Sequence, residues 1–336
     1  MDGLKQKIFG EKLIGKVQRG GRKSAINDLT GFLTTRSQKY LHHISAPGQS
    51  EKYCSRLSTH LTWGTLSVRE VVQSIKKRRL QLSADDKKKY GRNLTAFNSR
   101  LAWRCHFIQK LEDQPSIEHE SFIPVYDQIR EKDFRKLDAW IEGKTGVHFI
   151  DACMIYLRNH GWINFRMRAM LASFASYNLW LDWRYFGPRL AALFTDFEPG
   201  IHYSQLQMQS GTTGINTIRM YNPYKQALDQ DPEAKFIKSQ LPEYNNFPPS
   251  FFFKPPELSN NENLFNDSKL ETIVDVTKTA KFARDKIFSI RKLPEHQKMA
   301  KNVFIRHGSR QNRYCLLYTS DAADEGLGVD LGGRRI

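Results

Sequence analysis

The amino-acid sequence predicts an all-α, multi-helix fold, and three observations carry that expectation. Apolar residues recur every three to four positions in segment after segment, the spacing of helices with one buried face. Strand-like alternation of β-branched and polar residues is scarce, and no internal repeat is present. Of the 336 residues, 40% are hydrophobic and 12% aromatic, enough for a real core in one large domain or two ordinary ones.

Taken in order, residues 1–30 read as a basic lead-in. A helical run is expected from about Ala25 to Tyr40, ending before the turn-rich "SAPGQSEK". "LSVREVVQSIKKRRLQL" and "NLTAFNSRLAWRCHFIQKLE" both show helical apolar spacing, and "SADDKKKYG" between them reads as a charged loop. Ser67 followed by Glu70 has the pattern of a capping box. "IDACMIYLRNHG" is a helix with Gly161 as its C-terminal cap. "GWINFRMRAMLASFASYNLWLDWR" (161–184) is placed on one helix. "PGIHYSQLQMQSGTTGINTIRMYN" (199–222) reads as an ordered polar loop, and 243–267, with four prolines, as an extended arm. A basic amphipathic helix, "VDVTKTAKFARDKIFSIRK", follows. The terminal "YCLLYTSDAADEGLGVDLGGRRI" turns abruptly acidic and glycine-rich without periodicity, so residues 311–336 are expected to be an artefactual or disordered tail. The helical domain itself is expected over 31–310.

Charge narrows the partners. Lys and Arg number 52 against 35 Asp and Glu, a net +17, and residues 1–100 alone hold 21 basic and 7 acidic residues. Such an excess fits a polyanionic partner or an anionic cofactor. Cys54, Cys105, Cys153 and Cys315 lie 51, 48 and 162 residues apart, which matches no metal-binding spacing and no compact disulfide framework. Free thiols in a reducing cytoplasm, no metal and no membrane span are therefore expected.

Two arginines in the 161–184 stretch pose the sharpest question, because an unpaired buried guanidinium is costly. On a helical wheel, Ile163, Met167, Met170, Leu171, Phe174 and Leu181 share an apolar arc. Ala169, Ala172, Ser176 and Trp183 face the other way. Arg166 and Arg168 stand about 200° apart, so each needs its own partner.

The stretch 139–184, "AWIEGKTGVHFIDACMIYLRNHGWINFRMRAMLASFASYNLWLDWR", resembles the flavin-binding helical domain of the photolyase/cryptochrome family. Further likeness lies in "CSRLSTHLTWGTLSVREV" (54–71), "LAWRCHF" (101–107) and "RMYNPYKQALDQDPEAKFIKSQLPEY" (219–244). The resemblance spans about residues 30–310. It implies an FAD cofactor, damaged DNA as partner, and blue-light-driven splitting of pyrimidine lesions by a lyase. A cryptochrome-like photoreceptor with a signalling partner is the alternative, and a helical nucleic-acid-binding domain that has lost its flavin is a third. The family's N-terminal α/β antenna domain has no counterpart here, which suggests a fragment of a longer gene.

Residue by residue, the resemblance assigns Tyr40, Ser55, Arg56, Leu57, Ser58, Arg168, Asp196 and Glu198 to the cofactor, with Arg168 paired to Asp196 beside the flavin ring. Independently, Ser55, Ser58 and the amides around Leu57 suit a pyrophosphate at a helix start. Trp103, Arg104, Phe165, Arg166, Met167 and Gln226 are assigned to DNA, Trp103 as a stacking face for extruded bases. The basic runs Lys76 to Arg79 and Lys87 to Lys89 suit flanking phosphates. Trp183 matches the middle of the family's three electron-carrying tryptophans. The chain also departs from the pattern. Thr59 replaces a proline, and Phe165 an asparagine. Arg100 stands where repair enzymes place a glutamate. Leu206 occupies the flavin-proximal tryptophan position, and the distal one falls near Arg130. All six tryptophans lie between residues 63 and 183, so an electron route would draw on Trp162, Trp180 or Tyr203.

Overall fold

A computed structural model describes residues 17–255 and 272–308; the expected tail, Cys315 and much of the proline-rich arm lie outside them. Helix α1 (Arg22–Thr34) buries Ala25, Leu29, Phe32 and Leu33 on one stripe. It begins earlier and ends sooner than the expected Ala25–Tyr40 run. A 3-10 turn (Arg36–Lys39) then leads into α2 (Tyr40–His43). The "SAPGQSEK" stretch is not merely a turn, because it opens α3 (Pro47–Tyr53). Proline is at home in a first helical turn, where its missing N–H has no partner to lose.

After α4 (Ser58–Thr62), α5 (Val68–Leu80) carries the expected capping box. Ser67 Oγ accepts from the Glu70 amide at 3.2 Å, and Glu70 Oε2 accepts from the Ser67 amide at 2.9 Å. The "SADDKKKYG" stretch is helical rather than a loop. Ser83 Oγ accepts from the Asp86 amide at 3.1 Å, and Asp85 and Asp86 complement the positive end of the helix dipole. Helix α6 (Ala84–Asp113) therefore runs for 30 residues, about 45 Å at the α-helical rise.

Helices α7 (Phe134–Glu142) and α8 (His148–His160) each stop at a left-handed glycine, Gly143 (φ 69°) and Gly161 (φ 66°). The 161–184 stretch is not one helix. Asn164 Oδ1 caps the Met167 amide at 3.0 Å and starts α9 (Phe165–Ser173), which ends in a π-helical turn (Phe174–Asn178). Trp180, at φ 55°, breaks the path, and Asp182 caps α10 (Trp183–Ala191). Trp183 thus belongs to the next helix, away from the wheel that grouped it with Ala169.

The polar stretch after Glu198 is also helical in its first half. Helix α11 (Pro199–Ser210) shows no apolar stripe because it is packed on several sides through polar groups. Gln207 Nε2 donates to the Ile117 and Glu120 carbonyls at 2.8 and 2.9 Å, while its Oε1 accepts from the Phe122 amide at 2.8 Å. Then come α12 (Pro223–Gln230), α13 (Lys235–Gln240), α14 (Val276–Arg291) and α15 (Pro294–His307). Before α14, the arm makes 3-10 turns at Pro242–Tyr244 and Pro249–Phe253. Among the described residues there is no strand, only a single bridge between Glu131 and Leu181.

Two hydrophobic cores matter for function. One, from α1 to the middle of α6, gathers Phe32, Tyr40, Leu57, Val71, Phe97 and Trp162. The other, centred on α8 to α11, gathers Trp140, Met154, Met170, Phe174, Trp183 and Phe186. No described helix is long and apolar enough to cross a membrane, and the described residues hold no cluster of metal-ligating side chains. Cys54, Cys105 and Cys153 are free thiols.

Two consequences are measurable. A Cβ on Gly200 would lie 2.7 Å from the Ile108 backbone where α11 crosses α6. Gly200→Ala should therefore lower stability by about 1–3 kcal/mol in denaturant titration. His148, caged by Tyr244, Phe251 and Phe252, and His307 are both pushed down to about 4 by burial. Between their ordinary value of 6.5 and about 4 the unfolded chain binds more protons than the folded one, so stability falls as pH falls through that interval. Melting temperature measured from pH 7 to pH 4 should drop, and His148→Phe should flatten part of the drop.

Candidate functional site

The two cores leave between them a cavity of about 390 Å³. One wall is a face of α6, where Phe97, Arg100, Leu101 and Arg104 recur at helical spacing, with Trp103 and Phe107 beside them. The opposite walls come from the start of α9, the loop after α10, α11, and the segment 54–62 that contains α4.

Arg168 and Asp196 resolve the first buried-charge problem. Arg168 Nη2 donates to Asp196 Oδ2 at 2.9 Å, its Nε donates to the Ile163 carbonyl at 2.8 Å, and its guanidinium lies 4.1 Å over the Phe194 ring. The other carboxylate oxygen, Asp196 Oδ1, is buried and has no hydrogen-bond partner among the described residues. Arg166 points elsewhere, as the wheel required, and donates to Gln226 Oε1 at 3.3 Å. Nevertheless it also lines the cavity.

The 54–63 segment is bolted to the Asp196 loop. Thr59 Oγ1 and Thr195 Oγ1 are 3.4 Å apart, Thr62 Oγ1 donates to the Asp196 carbonyl at 3.4 Å, and Trp63 Nε1 donates to the Thr195 carbonyl at 2.8 Å. Ser55, Arg56, Leu57 and Ser58 all face the cavity. Arg56 is held at φ 59°, a left-handed conformation that a side chain adopts only when its surroundings impose it. Its guanidinium stacks 3.8 Å over Trp162, and burial lowers its pKa. Arg56 Nη1 has no partner among the described residues. Its carbonyl accepts from Gln18 Nε2 at 2.7 Å, so the lead-in reaches the cavity wall.

Of the residues assigned from sequence, Tyr40, Trp103, Arg104, Phe165, Arg166, Arg168, Asp196 and Glu198 share this one cavity with the 55–58 segment. Arg104 and Glu198, expected to serve different ligands, are paired at 3.3 Å. Met167, by contrast, does not line the cavity and is 0% exposed within the α8–α11 core. Gln226 is buried against Arg166 rather than set on the surface, and it does not line the cavity. Trp183 is buried one layer behind the cavity wall, donating to Ser121 Oγ at 2.9 Å; Leu206 lines the cavity in front of it. A Cβ on Gly187 would be 2.6 Å from Leu206 and 3.8 Å from both Trp183 and Tyr203, so these three side chains converge there. Trp162 lines the cavity, whereas Trp180 packs against Phe282.

Sequence reasoning missed His202, Gln205, Gln209 and Arg219, which also line the cavity. Reading 199–210 as a loop hid the signal, since Glu198, Ile201, His202, Gln205, Leu206 and Gln209 recur at helical spacing. His202 Nε2 lies 3.0 Å from the Gly187 carbonyl and must carry the proton there, which leaves Nδ1 as an acceptor. Burial depresses this histidine to about 4, so the ring is neutral at physiological pH.

These features fit FAD. Arg56 has an unspent N–H beside two serine hydroxyls for a diphosphate, Asp196 has an unspent acceptor, and Ala169 and Ala172 leave room on α9 for a flat ring.

Residues 97–289 match the family described as the FAD binding domain of DNA photolyase. The chain belongs to this photolyase/cryptochrome family, and its cofactor is FAD. Similar curated proteins include the deoxyribodipyrimidine photo-lyases of Halobacterium salinarum (31% identical, covering 63% of this chain and 44% of that protein) and Streptomyces griseus (30%, 72% and 50%). The chain thus spans about half the length of these relatives. Among solved structures, a class III photolyase from Agrobacterium tumefaciens superposes with a TM-score of 0.71 at 22% identity, covering 81% of this chain and 56% of that one. A photolyase from Sulfolobus tokodaii, solved with two FAD molecules, gives 0.66 at 27%, covering 83% and 58%.

The ion pair makes a direct prediction. Asp196→Asn leaves Arg168 facing the cavity without its carboxylate. FAD retained after gel filtration, read by absorbance, should fall sharply. Stability should drop by about 3 kcal/mol, the low end for a buried pair because Arg168 stays partly exposed.

Proposed function

We propose that the chain is the flavin domain of a light-driven DNA-repair photolyase, a carbon–carbon lyase acting on pyrimidine lesions in damaged DNA. The observation that supports this reading is that the flavin-type residues and Trp103, Phe165 and Arg166 share a single cavity. A base extruded into it would stand against the cofactor.

Bound in its reduced form, FAD supplies light-driven one-electron transfer. This chain's own residues would do the rest. Ser55, Arg56 and Ser58 hold the diphosphate. Arg168 and Asp196 fix charge beside the ring and tune its potential, while the two cores shield the site from water. Trp103 and Phe165 offer faces to unstacked bases, and Arg166 offers a guanidinium to a phosphate. The runs Lys76 to Arg79, exposed except at the half-buried Arg78, and Lys87 to Lys89 would neutralise flanking phosphates, with the thiols kept reduced in a cytoplasm.

A second reading, a cryptochrome-like photoreceptor acting through a signalling partner, is favoured by two observations: Arg100 in the cavity wall and Leu206 in front of Trp183. Illumination separates the two. FAD-loaded protein under blue light should restore a UV-damaged oligonucleotide, with binding that weakens steeply as salt rises. Unrestored lesions despite a reducible flavin would leave the photoreceptor reading.

A further inference from the structure

The α11 wall of the cavity carries a stripe of polar side chains that the cofactor assignment uses only in part. Asp196 and Glu198, at the approach to the helix, are engaged by Arg168 at 2.9 Å and by Arg104 at 3.3 Å. His202 stands edge-on to the Phe194 and Phe197 rings, within electrostatic reach of Arg168 and Asp196, so it belongs to the end of the cavity where that pair sits. Gln205 is the next polar residue of the stripe, roughly 9 Å along the helix from Pro199. Its side-chain oxygen, Oε1, is buried and has no hydrogen-bond partner among the described residues.

A buried amide oxygen without a donor costs free energy until one reaches it. The facing α6 wall presents Arg100 and Arg104, and a guanidinium donates but never accepts. A ligand N–H therefore finds its acceptor on the α11 side. Trp103 and Phe165 offer ring faces to a base, and a stacked base turns its hydrogen-bonding edge sideways, toward the rest of the lining. On a thymine-type base that edge is an imide, an N3–H between two carbonyls, and lesions joined at C5 and C6 keep it intact. A primary amide matches it, with Oε1 accepting from N3–H and Nε2 donating to a carbonyl. Thr217 Oγ1, also buried in this lining without a partner among the described residues, adds a second group able to donate.

We propose that Gln205 reads the imide edge of the extruded pyrimidine, its Oε1 accepting the N3–H, and so determines which bases the cavity takes. The discrimination comes from the buried oxygen: a base that lacks the N–H leaves it unpaired, and a site built around a hydrogen bond rejects such an analogue strongly. Gln205 acts here as a specificity residue and takes no part in electron transfer. The inference rests on the repair reading, with FAD held at the end of the cavity marked by Arg56, Arg168 and Asp196. It goes beyond that reading by assigning the side chain that selects the base.

The test uses the FAD-loaded full chain in the dark, with flavin absorbance following titration by the cyclobutane photodimer of a thymidine dinucleotide. The same photodimer methylated at both N3 atoms forms the second arm. The unmethylated dimer should bind at least ~tenfold more tightly, the cost of leaving one buried acceptor unpaired. Gln205→Leu should erase that preference while retaining FAD. Gln205→Glu, which keeps an oxygen acceptor at the same reach, should preserve it. Equal binding of the two dimers by the wild-type chain overturns the inference. A preference unchanged in Gln205→Leu does so too, because the methyl groups would then be excluded by other side chains. So does a preference lost in Gln205→Glu, or loss of FAD from Gln205→Leu, which would assign Gln205 to the cofactor. Light-driven splitting of the unmethylated dimer on the same samples is a separate readout. Splitting without N3–H preference removes only this inference, and preference without splitting removes only the repair proposal. Failure of the wild-type chain to bind either dimer removes both.

Discussion

Arg168 on α9 and Asp196 in the loop after α10 meet at 2.9 Å on the α8–α11 side of the cavity, and the loop that carries the aspartate is bonded in turn to the 54–63 segment beside the other core. The pair does not act alone. The Asp196 loop receives hydrogen bonds from Thr62 and Trp63, so the aspartate, the arginine and the 55–58 segment form one continuous wall. The other carboxylate oxygen is buried without a partner among the described residues, an arrangement that costs free energy until a donor reaches it. The same contact that closes the seam leaves an acceptor for what enters it.

Much of this was legible in the sequence, and the unread parts have a physical explanation. Capping pairs such as Ser67 with Glu70, and the stop at Gly161, depend on a few adjacent residues and so read directly. The Arg168–Asp196 pairing came from family likeness, since nothing local joins residues 28 positions apart. Misreadings occurred where local composition and tertiary context disagree. "SADDKKKYG" looks like a solvated loop, yet its aspartates are where a helix start prefers them. Helix α11 has no apolar stripe because polar side chains such as Gln207 pack it into the interior. The π-turn and the positive φ of Trp180 place Trp183 on a new helix, which no wheel reveals.

The region around Gly187 bears on how electrons would reach the flavin. Leu206 stands between the cavity and Trp183, and Tyr203 reaches Trp183 with ring centroids 6.2 Å apart. An aliphatic side chain carries no radical. Hence the tryptophans and tyrosine that line the cavity, Trp103, Trp162 and Tyr40, are the side chains whose oxidation by a flavin there would be geometrically direct. Trp162 lies under the Arg56 guanidinium, and that positive charge disfavours removing an electron from the indole.

Gln18 gives the lead-in a mechanical meaning. Its amide group donates to Asp28 at 2.8 Å and to the Arg56 carbonyl at 2.7 Å, bridging α1 and the residue whose backbone is held left-handed at the cavity wall. One side chain therefore couples the chain preceding α1 to the wall that faces the cofactor. The left-handed turn at Arg56 is thus braced from outside the cavity by a side chain that lines none of it.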